Sequence, residues 1–300
     1  MLLSQEDHFV VGADIGGSHI TAALVETNRF EIKQSTLTRK PVNSGGQATE
    51  ILECWIEAIE HTLKKHGDTK PDKIAIAMPG PFDYEEGVCL IKGLHKYESL
   101  YGLNIKNYIS DSLDIKPANI CFVNDAQCFL EGEMKGNQYN SYKRTLGITL
   151  GTGLGSAISF NGNTEDANFA VSPFKGTIAE EYLSTRWFVE RYYQLSGERV
   201  KDVKDIILHN HPLFIDSIFE EFADTFFQFL SPLILNDMYE VLIIGGNIVK
   251  AADRFLDRLQ AQLNTLPVAA PIQIHLANLG EYSAMIGASS YISKIATLNL

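Results

Sequence analysis

The chain has 300 residues, 45% of them hydrophobic and 21% charged, which suffices for one large core or two ordinary ones and excludes a disordered chain. A formal net charge of −12 repels nucleic acid and anionic lipid, so a phosphate-bearing ligand has to be met by local backbone donors. The start is acidic and no apolar run reaches membrane-spanning length, which points to a cytoplasmic protein without membrane contact.

The first strand covers 9–14, turns at Gly16-Gly17 and alternates again through 20–25, which makes a hairpin. Polar segments follow. Residues 48–65 then carry Ile51, Leu52, Trp55, Ile56, Ile59 and Leu63 at helical spacing. A buried strand over 73–78 is ended by Pro79-Gly80-Pro81, and a helix over 104–112 and a strand over 119–123 come next. Asn124-Asp125-Ala126 opens a helix running to residue 135. After a polar stretch the design restarts with a strand over 144–150, the run Gly151-Thr152-Gly153-Leu154-Gly155, and a strand over 157–160 ended by Asn161-Gly162. The glycines here join strand to strand, which excludes a dinucleotide-binding loop, since that loop leads into a helix. Helices are expected over 177–195, 203–209 and 213–230, the last ending near Pro232. A buried strand over 239–244 leads into Gly245-Gly246-Asn247. An amphipathic stretch over 249–263, a strand over 272–276 and a helix over 282–295 complete the chain. Ala284, Gly287, Ala288 and Ser289 allow that last helix to pack closely.

Two strand-glycine-strand turns, each starting a β-rich unit, suggest related domains that close on one ligand. Glycine lets backbone N–H groups approach phosphate oxygens without a Cβ in the way. Ser18 and Thr152 add hydroxyl donors, and Asp14 is placed to hold Mg²⁺ through water. Either turn alone reads as an ordinary hairpin; the pair favours phosphate. Asp125 is either the helix cap or the base that accepts a proton from a substrate hydroxyl as that oxygen attacks a phosphoryl group. Four scattered cysteines without a C-x-x-C pair read as reduced structural thiols.

Five segments carry a family resemblance: Asp14-Ile15-Gly16-Gly17-Ser18, Met78-Pro79-Gly80-Pro81, Val123-Asn124-Asp125-Ala126, Leu150-Gly151-Thr152-Gly153-Leu154-Gly155 and Ile243-Ile244-Gly245-Gly246-Asn247. In this order the chain resembles the glucokinase-like sugar kinases of the repressor, open-reading-frame and kinase (ROK) family. The resemblance implies an α/β, two-domain actin-like ATPase (ribonuclease H-like) fold with a central cleft. The small N-terminal domain would take 1–126 with 284–300 and the large one 127–283. It implies ATP-dependent phosphorylation of a hexose hydroxyl, with glucose the default substrate and Mg²⁺ the metal.

By resemblance Asp125 is the catalytic base, and Gly80, Pro81, Asn124, Asp125 and Glu180 bind sugar; Glu180, with Glu181 one place away, reads equally as a solvated residue in the first turn of a helix. Asp14, Gly16, Gly17, Ser18, His19, Gly151, Thr152, Gly153, Gly155, Gly245, Gly246 and Asn247 lie on the nucleotide side. His19 stands where the family often has lysine, so any charge it lends to phosphate varies with pH. His95 lies in the stretch where such kinases contact sugar and otherwise reads as a surface-loop histidine. A homodimer is also implied. The family's Glu-x-Gly-His motif and cysteine-rich module are missing from 161–184, so no zinc is expected. Those departures leave a catalytically degenerate sugar- or nucleotide-binding member as the alternative. A DNA-binding repressor is disfavoured by the charge and by the absence of a helix-turn-helix ahead of Asp14.

Overall fold

The structure is a computed structural model and describes residues 9–65, 73–94, 96–137, 139–209 and 212–298. The strands are β1 (Phe9–Ile15), β2 (His19–Glu26), β3 (Glu31–Pro41), β4 (Ile74–Met78), β5 (Phe82–Asp83), β6 (Val88–Cys89), β7 (Ile120–Asn124), β8 (Arg144–Leu150), β9 (Leu154–Phe160), β10 (Asn163–Asp166), β11 (Pro173–Phe174), β12 (Thr177–Ile178), β13 (Val241–Gly245) and β14 (Gln273–Leu276). The helices are α1 (Ala48–Lys64), α2 (Ile105–Leu113), α3 (Asp125–Gly136), α4 (Thr185–Ser196), α5 (Val203–His209), α6 (Pro212–Asp237), α7 (Leu256–Leu263) and α8 (Tyr282–Leu298). The chain divides into two compact units, Met1–Tyr139 with Glu281–Leu300, and Asn140–Gly280.

In the first unit the sheet order is β3-β2-β1-β4-β7. The first three strands are antiparallel, and β4 and β7 run parallel to β1. Val11, Ala13, Ile15 and the whole of β4 are buried, as a sheet covered on both faces requires. One cover is α1, whose Ile51, Leu52, Trp55, Ile59 and Leu63 form the apolar stripe expected from their spacing. Another is α8, which comes so close that a Cβ on Gly12 would lie 2.8 Å from the Met285 carbonyl oxygen. Helix α8 also meets α3 backbone to backbone: a Cβ on Gly132 would fall 1.8 Å from the Ser283 oxygen, and one on Gly287 1.9 Å from that of Cys128. This packing keeps 127–139 with the first unit, so the division falls after Tyr139 and not after Ala126.

The second unit repeats the pattern as β10-β9-β8-β13-β14, with β13 parallel to both β8 and β14. Its core is aromatic. Phe188 of α4 lies 4.7 Å from Phe222 of α6, and Phe222 lies 5.2 Å from Phe255, ring centre to ring centre.

Several expectations need correction. The polar segment after β2 is an eleven-residue strand, β3, sustained by pairing with β2 although its exposed face reads as loop. The expected helix over 177–195 begins at Thr185, because 177–178 pair with Pro173–Phe174 as a short hairpin. Helix α6 runs past Pro232 to Asp237. The stretch 249–263 is broken: a 3-10 helix (Asn247–Arg254), kinked at Ala251, precedes α7. None of the described helices is long and apolar enough to cross a membrane.

Candidate functional site

Parallel pairing brings the chemistry-bearing turns of each unit to the carboxyl ends of its strands, where ligands bind in open α/β sheets. In the first unit Asp14 pairs with Ala77 and Met78 with Asn124. The β1–β2 hairpin, the Pro79-Gly80-Pro81 turn and Asn124-Asp125 therefore leave the sheet side by side. In the second unit Thr149 pairs with Gly245, so the Gly151–Gly153 turn and Gly245-Gly246-Asn247 leave together.

The first hairpin turns through Gly17 and Ser18, both exposed, and is closed by the Gly16 N–H donating to His19 O at 2.9 Å. Neither Gly16 nor Gly17 has a positive φ. A Cβ on Gly17 would meet nothing within 4 Å, and one on Gly16 would make only ordinary contact with His19. Gly151 in the second hairpin likewise has open space and no positive φ. The fold does not require glycine at these positions, whereas close approach of a ligand to the backbone would.

The other glycines differ. A Cβ on Gly153 would lie 2.5 Å from Glu180 Oε2, and the Leu154 N–H donates to that same oxygen at 3.1 Å. Arg186 holds the other oxygen of Glu180 at 2.8 Å, and Thr185 donates through both N–H and hydroxyl to Gly151 O, each at 2.8 Å. Glu180 thus stands against the second hairpin. Gly246 has φ +92°, and its Cβ would lie 2.2 Å from the Leu150 oxygen, so glycine is required there by the backbone itself. Gly155 sits inside β9 opposite Thr149, Thr152 is exposed at the tip, and Asn247 accepts from Lys250 Nζ at 3.1 Å.

Asn124, not Asp125, caps α3: its Oδ1 accepts the Gln127 N–H at 3.1 Å. Asp125 is the first helical residue and accepts the Ala126 N–H at 2.8 Å. The Asn124 amide donates at 3.2 Å to the Tyr84 hydroxyl, which donates at 3.1 Å to Met78 O. Tyr84 also lies over Gly80, whose Cβ would be 3.2 Å from the hydroxyl. No motif marked Tyr84.

Asp14 is crowded. Burial, then the charges of Asp125 and Glu281, push its carboxyl up to about 7, and Arg39 opposes them. Asp14, Thr21 and Arg39 are cross-strand neighbours on β1, β2 and β3. Glu281 joins this row, accepting from Thr21 at 3.3 Å and Arg39 at 2.9 Å. Sequence reading missed both Arg39 and Glu281, which lie far from Asp14 along the chain. Burial, then the Arg39 charge, lowers the pKa of His19, and it shares a 3.2 Å hydrogen bond with Ser18. His95 lies outside the described residues.

Among the described residues no three metal-ligating side chains form a cluster. Mg²⁺ needs none, because it keeps several waters and takes one or two carboxylates plus substrate phosphates. Asp14, raised by burial and then by the charges of Asp125 and Glu281, is the kind of donor a divalent cation relieves.

Two units of three antiparallel and two parallel strands, each with a glycine hairpin after its first strand, define the actin-like two-domain fold class. The chain belongs to the ROK family, whose sequence profile matches residues 10–172. It is similar to an N-acetyl-D-glucosamine kinase of Mannheimia succiniciproducens, 25% identical over 171 residues. That match covers 57% of this chain and 52% of that protein, about half its length. The corresponding kinase of Shigella boydii is 22% identical over 311 residues, covering 93% of this chain and 97% of its own. In fold it is similar to the inorganic polyphosphate/ATP-glucomannokinase of an Arthrobacter species, with a TM-score of 0.70 at 20% identity over 97% of this chain and 99% of that one.

Proposed function

We propose that this chain is an ATP-dependent sugar kinase that phosphorylates a hexose hydroxyl. The observation that carries the reading is that Gly17 and Gly151 occupy open, unstrained positions where the fold has no need of glycine. The two hairpins hold the nucleotide phosphates through exposed backbone donors, Ser18 and Thr152. Asp14 would hold Mg²⁺, and the ion when bound would supply charge neutralisation at the phosphates. Asp125 accepts the hydroxyl proton of the sugar. Because the transition state of phosphoryl transfer is loose, holding that hydroxyl in line contributes as much as removing its proton. The Asn124 and Tyr84 hydrogen bonds tie the strand end at Met78 that precedes the sugar-side turn at Gly80 and Pro81, and Glu180 is assigned to sugar.

Glucose is the default substrate from the family resemblance, and the kinases of Mannheimia and Shigella add N-acetyl-D-glucosamine to the test. The experiment is coupled ADP release over hexoses and N-acetylhexosamines with ATP as donor, and direct detection of the sugar phosphate with polyphosphate as donor. Asp125→Ala is expected to lower kcat by about 100- to 10,000-fold with little change in nucleotide KM. Absence of turnover on every sugar, or a variant as fast as the native enzyme, refutes the mechanism.

A further inference from the structure

The carbonyl of Gly16 and the N–H of Gly17 are opposite ends of one planar trans peptide unit, so whatever holds the first aims the second in the opposite direction. The holder is Tyr97. Its side chain is completely buried, and its hydroxyl donates to Gly16 O. The ring packs edge-on against fully buried Trp55, with centroids 5.3 Å apart. Its backbone is fixed by an N–H bond of 2.6 Å to Ser44 O and stands in the left-handed region at φ +55°, unusual for an aromatic residue.

The rest of the turn is tied independently. Gly16 N–H donates to His19 O, and Val42 N–H donates to Ser18 O, both at 2.9 Å. The Gly16–Gly17 unit has no such backbone tie. Flanked by two residues without Cβ atoms, it has two orientations within reach, and the one with its carbonyl in water removes its N–H from the exposed side. Among the described residues no hydrogen bond uses the Gly17 N–H, so the Tyr97 hydroxyl leaves it as an exposed donor.

We propose that Tyr97 is a positioning residue: a buried latch that holds the Gly16–Gly17 peptide in the orientation presenting the Gly17 N–H to a nucleotide phosphate. This rests on the nucleotide reading of the hairpin. Without the hydroxyl the peptide samples both orientations, and apparent affinity falls by the fraction that remains competent.

Tyr97→Phe keeps the ring on Trp55 and removes only the hydroxyl; Trp55→Phe disturbs the same packing and keeps it. Nucleotide binding is measured by calorimetry with Mg·ADP and a non-hydrolysable ATP analogue, sugar KM by the coupled assay, and the Gly17 amide by NMR of ¹⁵N-glycine-labelled protein. Tyr97→Phe is expected to weaken nucleotide binding about tenfold, leave sugar KM within about twofold, and put the Gly17 resonance into exchange. Trp55→Phe is expected to lower stability without that loss of affinity. A Tyr97→Phe protein that is less stable but binds nucleotide like the native one, with an unaltered Gly17 resonance, overturns the latch. If the native protein binds no nucleotide, the proposed function fails, and the Gly17 resonance alone decides whether Tyr97 holds the peptide.

Discussion

Replacing Gly17 by alanine is expected to move stability and nucleotide affinity in opposite directions. The added methyl meets no atom within 4 Å, and the residue lies outside the positive-φ region that disfavours L side chains. Alanine therefore reduces the freedom of the unfolded chain without straining the folded one, a gain of about 0.4–1 kcal/mol. In a domain of this size that is a rise in Tm of about 1–4 °C. On the proposed function, the same methyl stands where a phosphate oxygen would approach the backbone. Losing one charge-assisted hydrogen bond costs about 1.5–3 kcal/mol, or about ten- to a hundredfold in nucleotide affinity. Thermal unfolding and ATP titrations in the coupled assay read the two effects separately, and Gly151→Ala provides the same test in the second unit. A clear loss of stability would mean that the fold needs glycine there. An unchanged nucleotide KM with raised stability would mean that the hairpin does not hold phosphate.

Gly246→Ala should behave in the contrary way, since its φ of +92° and the Leu150 oxygen at 2.2 Å combine strain with overpacking. A loss of about 3 kcal/mol in urea unfolding is expected, and an effect below about 1 kcal/mol would show that the turn relaxes freely. Asp14 links stability to pH. Its carboxyl holds a proton up to about pH 7 when folded but only to about 3.8 when unfolded, so the folded state binds more protons in that window and stability falls as pH rises through it. Asp14→Asn removes this loss. Its Tm advantage over the native protein should grow from pH 4 to pH 8 while kinase turnover is abolished, and a gap that does not vary with pH refutes the burial of a shifted carboxyl.

Much of the fold was legible because local physics wrote it into the chain. The stripe Ile51, Leu52, Trp55, Ile59 and Leu63 faces the core as its spacing requires, and the small residues of α8 mark its close approach to α3. Where local and tertiary preferences disagree, sequence reading failed. β3 has one solvated face and reads as polar connection, and 177–184 has helical composition, yet Thr177–Ile178 pair with Pro173–Phe174 and Ala179–Glu181 form a 3-10 turn.

The paired strand-glycine-strand turns, their order around Asn124-Asp125, and hence the ROK family and the expected chemistry are legible in the chain alone. These are local signals, readable from neighbours along the chain. Packing separates the glycines from one another: a Cβ on Gly17 or Gly151 would meet nothing within 4 Å, while Gly153 is pressed by Glu180 and Gly246 by the Leu150 carbonyl. The tertiary structure also decided that Asn124 is the cap that leaves Asp125 as the first helical residue, and that Tyr97, Arg39 and Glu281 surround the first hairpin. Such roles depend on packing and electrostatic neighbours remote in sequence, so no spacing along the chain records them.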